Sequence, residues 1–370
     1  MNRRVNVIGV GLTPFRLAGA SGAGADSAVA VVRLALADAG IDFALVGALY
    51  CAAAGAAPHA GQEAWRSLGL TGIPVFNLQS DGAGGASALL LARQAVETGA
   101  AECVLVLGVE PAMAHAASAE VALGNALHGA AAEEYLARYA ARRESLAMLA
   151  VKAREHAARN PDALLRAPLS LEQVLLEPQT FGPLSASQCC TPAEGAAAVV
   201  LCSDAFVRKR GNKRAVRIIA QAQCGELTAG ACGETAIRAA GYDIAATAAR
   251  LVYERAGLGP EEIDLCELQD ATGSAELLLY EALGFCREGD AEKLIEDGDN
   301  TYGGNLVVNP SGGLLGRGHA LGASGLAQCV ELVRQLRGAA DTRQVPGARY
   351  ALQHSQGVQG DAVVTLYARD

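Results

Sequence analysis

What this chain lacks narrows its function first. It has no excess of basic residues: 30 Lys and Arg stand against 39 Asp and Glu, a net charge of −9. That balance argues against general nucleic-acid binding, so an anionic, nucleotide-like ligand has to be met by local Arg or Lys clusters or by helix N-termini. No apolar run approaches the ~20 residues that cross a bilayer, and the N-terminus shows no basic-apolar-cleavage pattern. A cytoplasmic protein that does not enter membranes is expected. Metal-ligand spacing is missing too. The ten cysteines, at positions 51, 103, 189, 190, 202, 224, 232, 266, 286 and 329, form no CxxC and no Cys/His cluster of zinc spacing. Most lie in apolar runs, as Cys103 does, and read as buried reduced thiols. No metal and no bound cofactor is expected.

What is present is enough apolar material for a large core. Hydrophobic residues make up 51% of 370 positions and charged residues 19%, with mean hydropathy +0.21. That suits two domains, or one fused pair sharing a core. Short β-rich runs at 4–10, 46–51, 74–79 and 103–108 alternate with helical stretches at 26–39 and 88–98. This alternation predicts a largely parallel sheet covered on both faces. The middle is different: 114–183 has few β-branched residues, and a single long charged helix is expected over 130–158. A buried strand at 195–202 then rejoins the first sheet, and the basic stretch Arg208–Arg214 connects it to the second part of the chain.

After that connector the pattern starts again. The segment 245–257 echoes 28–40, each a helix closing in Ala-Gly. Gly322-Ala-Ser-Gly-Leu326 echoes Gly85-Ala-Ser-Ala-Leu89, each opening a helix, and 361–367 echoes the strand ending at Cys202. Such a repeat implies two α/β halves related by pseudo-symmetry. Sites in such folds form where helix N-termini and loops of both halves meet. One stretch, 301–325, concentrates glycines around Tyr302 and His319 and leads into an amphipathic segment. A histidine there stands where backbone N–H groups and the helix dipole favour an oxyanion.

Several motifs in order carry a resemblance to a known family. They are Ile73-Pro-Val-Phe-Asn77, Ser87–Gln94, Gln188-Cys-Cys-Thr-Pro192, Asp299–Gly304, Asn309-Pro-Ser-Gly-Gly313, Gly318–Gly325 and Ala351-Leu-Gln-His354. With them the chain resembles the thiolase superfamily, in its sterol-carrier-protein-type branch. The resemblance implies an α/β fold of two pseudo-symmetric βαβαβαββ halves in a five-layer αβαβα arrangement with an inserted helical loop subdomain. The expected division is 1–113 for the first half, 114–190 for the insert, 191–212 for completion and linker, and 213–370 for the second half.

The departures from that family decide the chemistry. Thiolases carry a nucleophilic cysteine at the first half's helix start, and the matching position is Gly82. The branch's His-Asp-Cys-Phe motif reads Gln269-Asp-Ala-Thr272, and the Cys-x-Gly of other thiolases reads Ser355-Gln-Gly357. His319 of the Gly-His-Pro motif remains, with Ala320 in place of proline. Without a thiolate to hold an acyl group, classical thiolase activity is not expected. An oxyanion site for a thioester enolate is, built on His319 with Gly82, Gln269 and Gly322 as oxyanion or substrate-binding positions. Asp270 serves either as a base or as a loop cap. Tyr302 is either a donor to the site or a residue packed under its loop, and His354 and Ser355 are further candidates. His59, His115, His128 and His156 receive no role.

Retro-aldol cleavage of a β-hydroxyacyl-CoA needs only an oxyanion site and a base. A cysteine-less branch of thiolase-like proteins is associated with that reaction, shortening steroid side chains beside a small zinc-ribbon/OB-fold partner. The expectation is therefore a carbon–carbon lyase on CoA thioesters. The other reading is a catalytically silent subunit that organises an active partner. By the same resemblance a homodimer through the first half's sheet edge is expected, with a possible heterotetramer including the zinc-ribbon/OB-fold protein. Arginines of 130–159 are the expected contacts to the CoA phosphates.

Overall fold

The strand β1 (Val5–Leu12) is buried along its whole length because it is the seam on which both halves are hung. The computed structural model describes residues 3–17, 24–54, 59–111, 115–226, 235–358 and 360–369; Cys232 lies outside them. After β1 the first half runs through α1 (Gly24–Ala39), β2 (Leu49–Ala52), β3 (Val75–Leu78), α2 (Gly84–Thr98) and β4 (Cys103–Glu110). The chain then leaves the sheet for α3 (His115–Tyr139) and α4 (Arg143–Ala158) before returning as β5 (Ala193–Ser203). The second half comprises β6 (Val216–Cys224), α5 (Tyr242–Ala256), β7 (Leu265–Glu267), α6 (Gly273–Ala282) and β8 (Val307–Val308). It ends with α7 (Gly313–Arg317), α8 (Leu321–Leu336), β9 (Tyr350–Gly357) and β10 (Asp361–Ala368).

Sheet order displays the repeat directly. The first half reads β3-β2-β4-β5-β1 and the second β8-β7-β9-β10-β6, so each strand's counterpart carries a number higher by five. The halves join where β1 pairs with β6, Val5 opposite Ile218. Contrary to the sequence expectation the sheet is not largely parallel. β2 runs parallel to β3 and β4, and β7 to β8 and β9, but the centre from β4 through β5, β1, β6 and β10 to β9 is antiparallel. Continuous apolar runs report burial on both faces and carry no mark of neighbour direction.

Three apolar clusters separate five layers. One sets α1 against the outer face of the first half's strands, and another sets α5 and α6 against the outer face of the second. Between them, inner-face residues of both halves close over α8, with Leu326, Val330 and Val333 fully buried. α2 lies beside α8 in this middle layer, and the two cross at their starts. A Cβ on Gly85 would stand 3.0 Å from the Leu326 nitrogen, and one on Gly325 would stand 2.7 Å from the Ala86 nitrogen. The echoed small-residue motifs are thus the contact between halves. The echoed helices α1 and α5 both stop at a left-handed glycine, Gly40 and Gly257, each at φ 67°, where a side chain would be strained.

Two helices of the insert stand where one was expected over 130–158. Ala140 has φ 53°, which breaks the helical path, and Arg142 restarts it in extended conformation. Charged-residue spacing runs smoothly across the break, so it hid the turn. α4 is tied to the second half from inside: buried Lys152 donates to Glu276 of α6, and to the Tyr280 hydroxyl at 3.2 Å. An ion pair this dry is costly to break from one side only.

Candidate active site

Both helix starts of the middle layer open onto one cleft. Its floor contains Gly82, Gln269 and His319, and its walls come from α3, the start of α5, α6 and the end of β9. The walls are mostly apolar, with Val121, Leu278, Leu279 and Ala282 among them.

His319 sits in the link between α7 and α8. Its backbone N–H donates to the Thr191 carbonyl at 2.9 Å, and its carbonyl accepts the Ala193 N–H at 2.9 Å. The lead-in to β5 therefore clamps it from both sides. The Ser324 oxygen accepts the Ala320 N–H at 3.1 Å and lies 3.0 Å from His319 Nδ1. With the Ser324 proton directed at Nδ1 the ring proton stands on Nε2, facing the cleft floor; with the ring proton on Nδ1, Nε2 accepts there instead. Burial, aided by Arg317, pushes the imidazole down to about 3. His319 is thus neutral at physiological pH, and in its Nε2–H tautomer it is a donor to the floor.

Gln269 supplies the second donor. Its Nε2 lies 3.5 Å from His319 Nε2, too long for a strong bond. The two nitrogens converge on one region of the floor. The same amide explains Gly82. A Cβ there would stand 2.7 Å from Gln269 Nε2, 2.8 Å from the Gln356 carbonyl oxygen and 3.5 Å from His319 Nε2. The amide occupies the space into which a side chain at 82 would project. Glycine at 82 and glutamine at 269 fit each other, and the floor offers hydrogen-bond donors in place of a nucleophile.

The other five sequence candidates stand outside the cleft lining. Asp270 is fully buried, and its carboxylate accepts the N–H groups of Leu314 at 2.7 Å and Leu315 at 3.4 Å. It caps α7; burial, with Glu276 nearby, raises its carboxyl well above the ordinary value. Tyr302 donates to the Arg343 carbonyl at 2.7 Å and packs edge-on to His156 and beneath Arg159. Burial drives its phenol up, which is the wrong direction for a base. Ser355 donates to Gln328 at 2.6 Å inside the middle layer. The Gly322 N–H is taken by Glu110 at 2.9 Å, and a Cβ there would meet the Val109 oxygen at 2.6 Å. Gly322 serves packing, not an oxyanion. His354 is fully buried in β9 with neither ring nitrogen bonded among the described residues, and burial lowers it to about 3.

Three of the arginines expected at CoA phosphates have partners elsewhere. Arg138 pairs with Glu288, Arg142 with Glu292 and Glu296, and Arg154 donates to the Ala167 carbonyl at 3.0 Å. None of them lines the cleft. Cys190 does line it, but burial raises its thiol far from thiolate range.

Four polar lining residues were missed in the sequence: Asn125 and His128 on α3, Tyr242 at the start of α5, and Gln356 on β9. Burial and nearby carboxylates hold the Tyr242 phenol up at about 12, so it is protonated. His128 Nδ1 lies 2.8 Å from the Gly124 carbonyl, an i to i−4 contact. The spacing was visible in the sequence, but not which face of α3 meets the cleft.

A two-half α/β fold whose middle-layer helices aim their starts at one shared cleft defines a thiolase-type protein. Residues 229–368 match the family described as thiolase C-terminal domain-like. The chain is 41% identical over 392 residues to human sterol carrier protein 2, covering 99% of this chain and 72% of that protein. It is 37% identical over 325 residues to the benzoylsuccinyl-CoA thiolase subunit BbsB of Thauera aromatica, covering 84% and 83%. Among solved structures it superposes on the Ltp2-ChsH2(DUF35) aldolase with a TM-score of 0.84 at 25% identity, covering 99% of this chain and 98% of the other. The chain belongs to the thiolase superfamily, in its sterol-carrier-protein-type branch.

Proposed function

We propose that this protein is an acyl-CoA carbon–carbon lyase, cleaving a β-hydroxyacyl-CoA by retro-aldol reaction to a ketone and a shorter acyl-CoA. One observation carries the reading: Gln269 Nε2 fills the side-chain space at Gly82 and converges with His319 Nε2. The site thereby loses covalent catalysis and keeps two neutral donors for an enolate oxygen. As the Cα–Cβ bond breaks, its electron pair moves into the thioester, and charge develops on that oxygen. Preorganised N–H donors in a buried site are worth most at that moment. The apolar walls at Leu278, Leu279 and Ala282 suit a bulky hydrocarbon acyl group. CoA enters as part of the substrate, and the reaction needs no resident cofactor.

The likeness to an aldolase named for two components, Ltp2 and ChsH2(DUF35), supports both the reaction class and a partner. We place this chain in a homodimer formed at the β3 edge, where Phe76 is 46% exposed. It would be joined by a small zinc-ribbon/OB-fold protein in a cytoplasmic heterotetramer. The test is to supply a β-hydroxyacyl-CoA with a branched β-carbon, with and without such a partner, and to measure ketone release. Release supports the lyase. No release under either condition, while CoA esters still bind, contradicts it and favours a catalytically silent subunit.

A further inference from the structure

The floor of the cleft presents His319 and the Gln269 amide; the α3 wall presents two further acceptors, and enolate stabilisation by His319 and Gln269 uses neither of them. His128 Nδ1 faces a carbonyl oxygen, that of Gly124, at 2.8 Å. A carbonyl only accepts, so the proton must be on Nδ1 and the lone pair on Nε2. One turn earlier, Asn125 is 6% exposed and its Oδ1 has no hydrogen-bond partner among the described residues. A buried amide oxygen left unbonded costs stability, and both residues line the cleft that holds His319 and Gln269. Burial also keeps the His128 imidazole below its ordinary value, in its neutral form.

We propose that the α3 wall is the hydroxyl-recognition side of the site, with Asn125 Oδ1 orienting the substrate's β-hydroxyl and His128 Nε2 taking its proton. This rests on the lyase reading and supplies the base that reading lacks. The O–H bond breaks toward His128 Nε2, and the oxygen's electron pair forms the ketone C=O as the Cα–Cβ bond opens. The enolate oxygen accepts from His319 and Gln269. The proton held on His128 then passes to Cα, so the products are a ketone and a shortened acyl-CoA, with no oxidant, reductant or added nucleophile consumed.

The test uses the full chain, with its partner where turnover requires one. His128→Gln retains an N–H able to reach the Gly124 carbonyl but cannot accept a proton at neutral pH. Its ketone release is expected to fall by roughly 100-fold or more, with acyl-CoA affinity changed by only a few fold. In His128→Ala, added imidazole is expected to restore part of the rate, which a packing role would not allow. Wild-type turnover in His128→Gln, or no response of His128→Ala to imidazole, overturns this inference and leaves the lyase reading standing. If the wild-type chain releases no ketone, both fall. A variant-free measurement stands beside these: the wild type should bind a β-hydroxyacyl-CoA about tenfold tighter than the same ester lacking the hydroxyl. Equal affinities overturn the inference.

Discussion

The two helix starts that meet in the cleft descend from one repeated motif, yet they have kept different things. The start of α8 retains His319, clamped by its own backbone and polarised by Ser324. The start of α2 retains only backbone, because at Gly82 the Gln269 amide takes the place of a side chain. What both keep is the close crossing at Gly85 and Gly325. Packing between halves and chemistry at the floor are therefore separable: one start can lose its reactive group while the crossing that positions the other stays tight.

That comparison breaks most sharply at His319. His319→Ala is expected to lower ketone release by about 10²- to 10³-fold, the usual cost of one oxyanion donor, while circular dichroism shows an unchanged fold. An equal loss on changing Gly82 to alanine without loss of stability would mean that the two starts contribute alike.

Acid should act through buried histidines of the insert and the second half. His156, His319 and His354 are each held down to about 3, with burial the leading cause. Their ordinary value is ~6.5. With folded values depressed, the unfolded chain binds more protons as pH drops below ~6.5, so stability is lost from there toward ~3. Each histidine contributes up to about 1.4 kcal/mol per pH unit. Urea titrations at pH 7 and pH 5.5 should show the decline, and replacing His354 with a neutral residue of similar size should flatten it.

The crossing itself is the next place to press. Gly325→Ala puts a methyl group 2.7 Å from the Ala86 nitrogen, backbone that cannot step aside, and should cost about 1–3 kcal/mol by overpacking. A lowered melting temperature would be accompanied by reduced turnover, because both starts shift together. The smallest effect is expected at Tyr302. Tyr302→Phe removes one bond to the Arg343 carbonyl, worth about 1 kcal/mol, and should leave turnover intact. A large loss of turnover with stability unchanged would return Tyr302 to the chemistry.

The same distinction governs how far the sequence could be read. The repeat and its glycine punctuation were legible from local spacing, and the floor residues Gly82, Gln269 and His319 from the match to thiolase motifs. Asp270 and Tyr302 looked chemical because they are polar residues in a small-residue loop, and their partners at Leu314 and Arg343 are 44 and 41 positions away. The Gly322 N–H looked available until Glu110, 212 positions earlier, was placed beside it. His128 was passed over for the converse reason. It lies on a helix with weak amphipathic pattern, and only the packing of α3 across the second half turns that face inward.

The central claim is cleavage without a covalent acyl-enzyme, and stoichiometry in the absence of free CoA tests it most directly. A thiolase-type transfer must hand its acyl group to an added thiol, whereas retro-aldol cleavage consumes none. The account predicts that ketone and shortened acyl-CoA appear one to one with no free CoA supplied, and that the intact protein mass stays unmodified during turnover. Cleavage that depends on added CoA, with an acyl group accumulating on the protein, would contradict it.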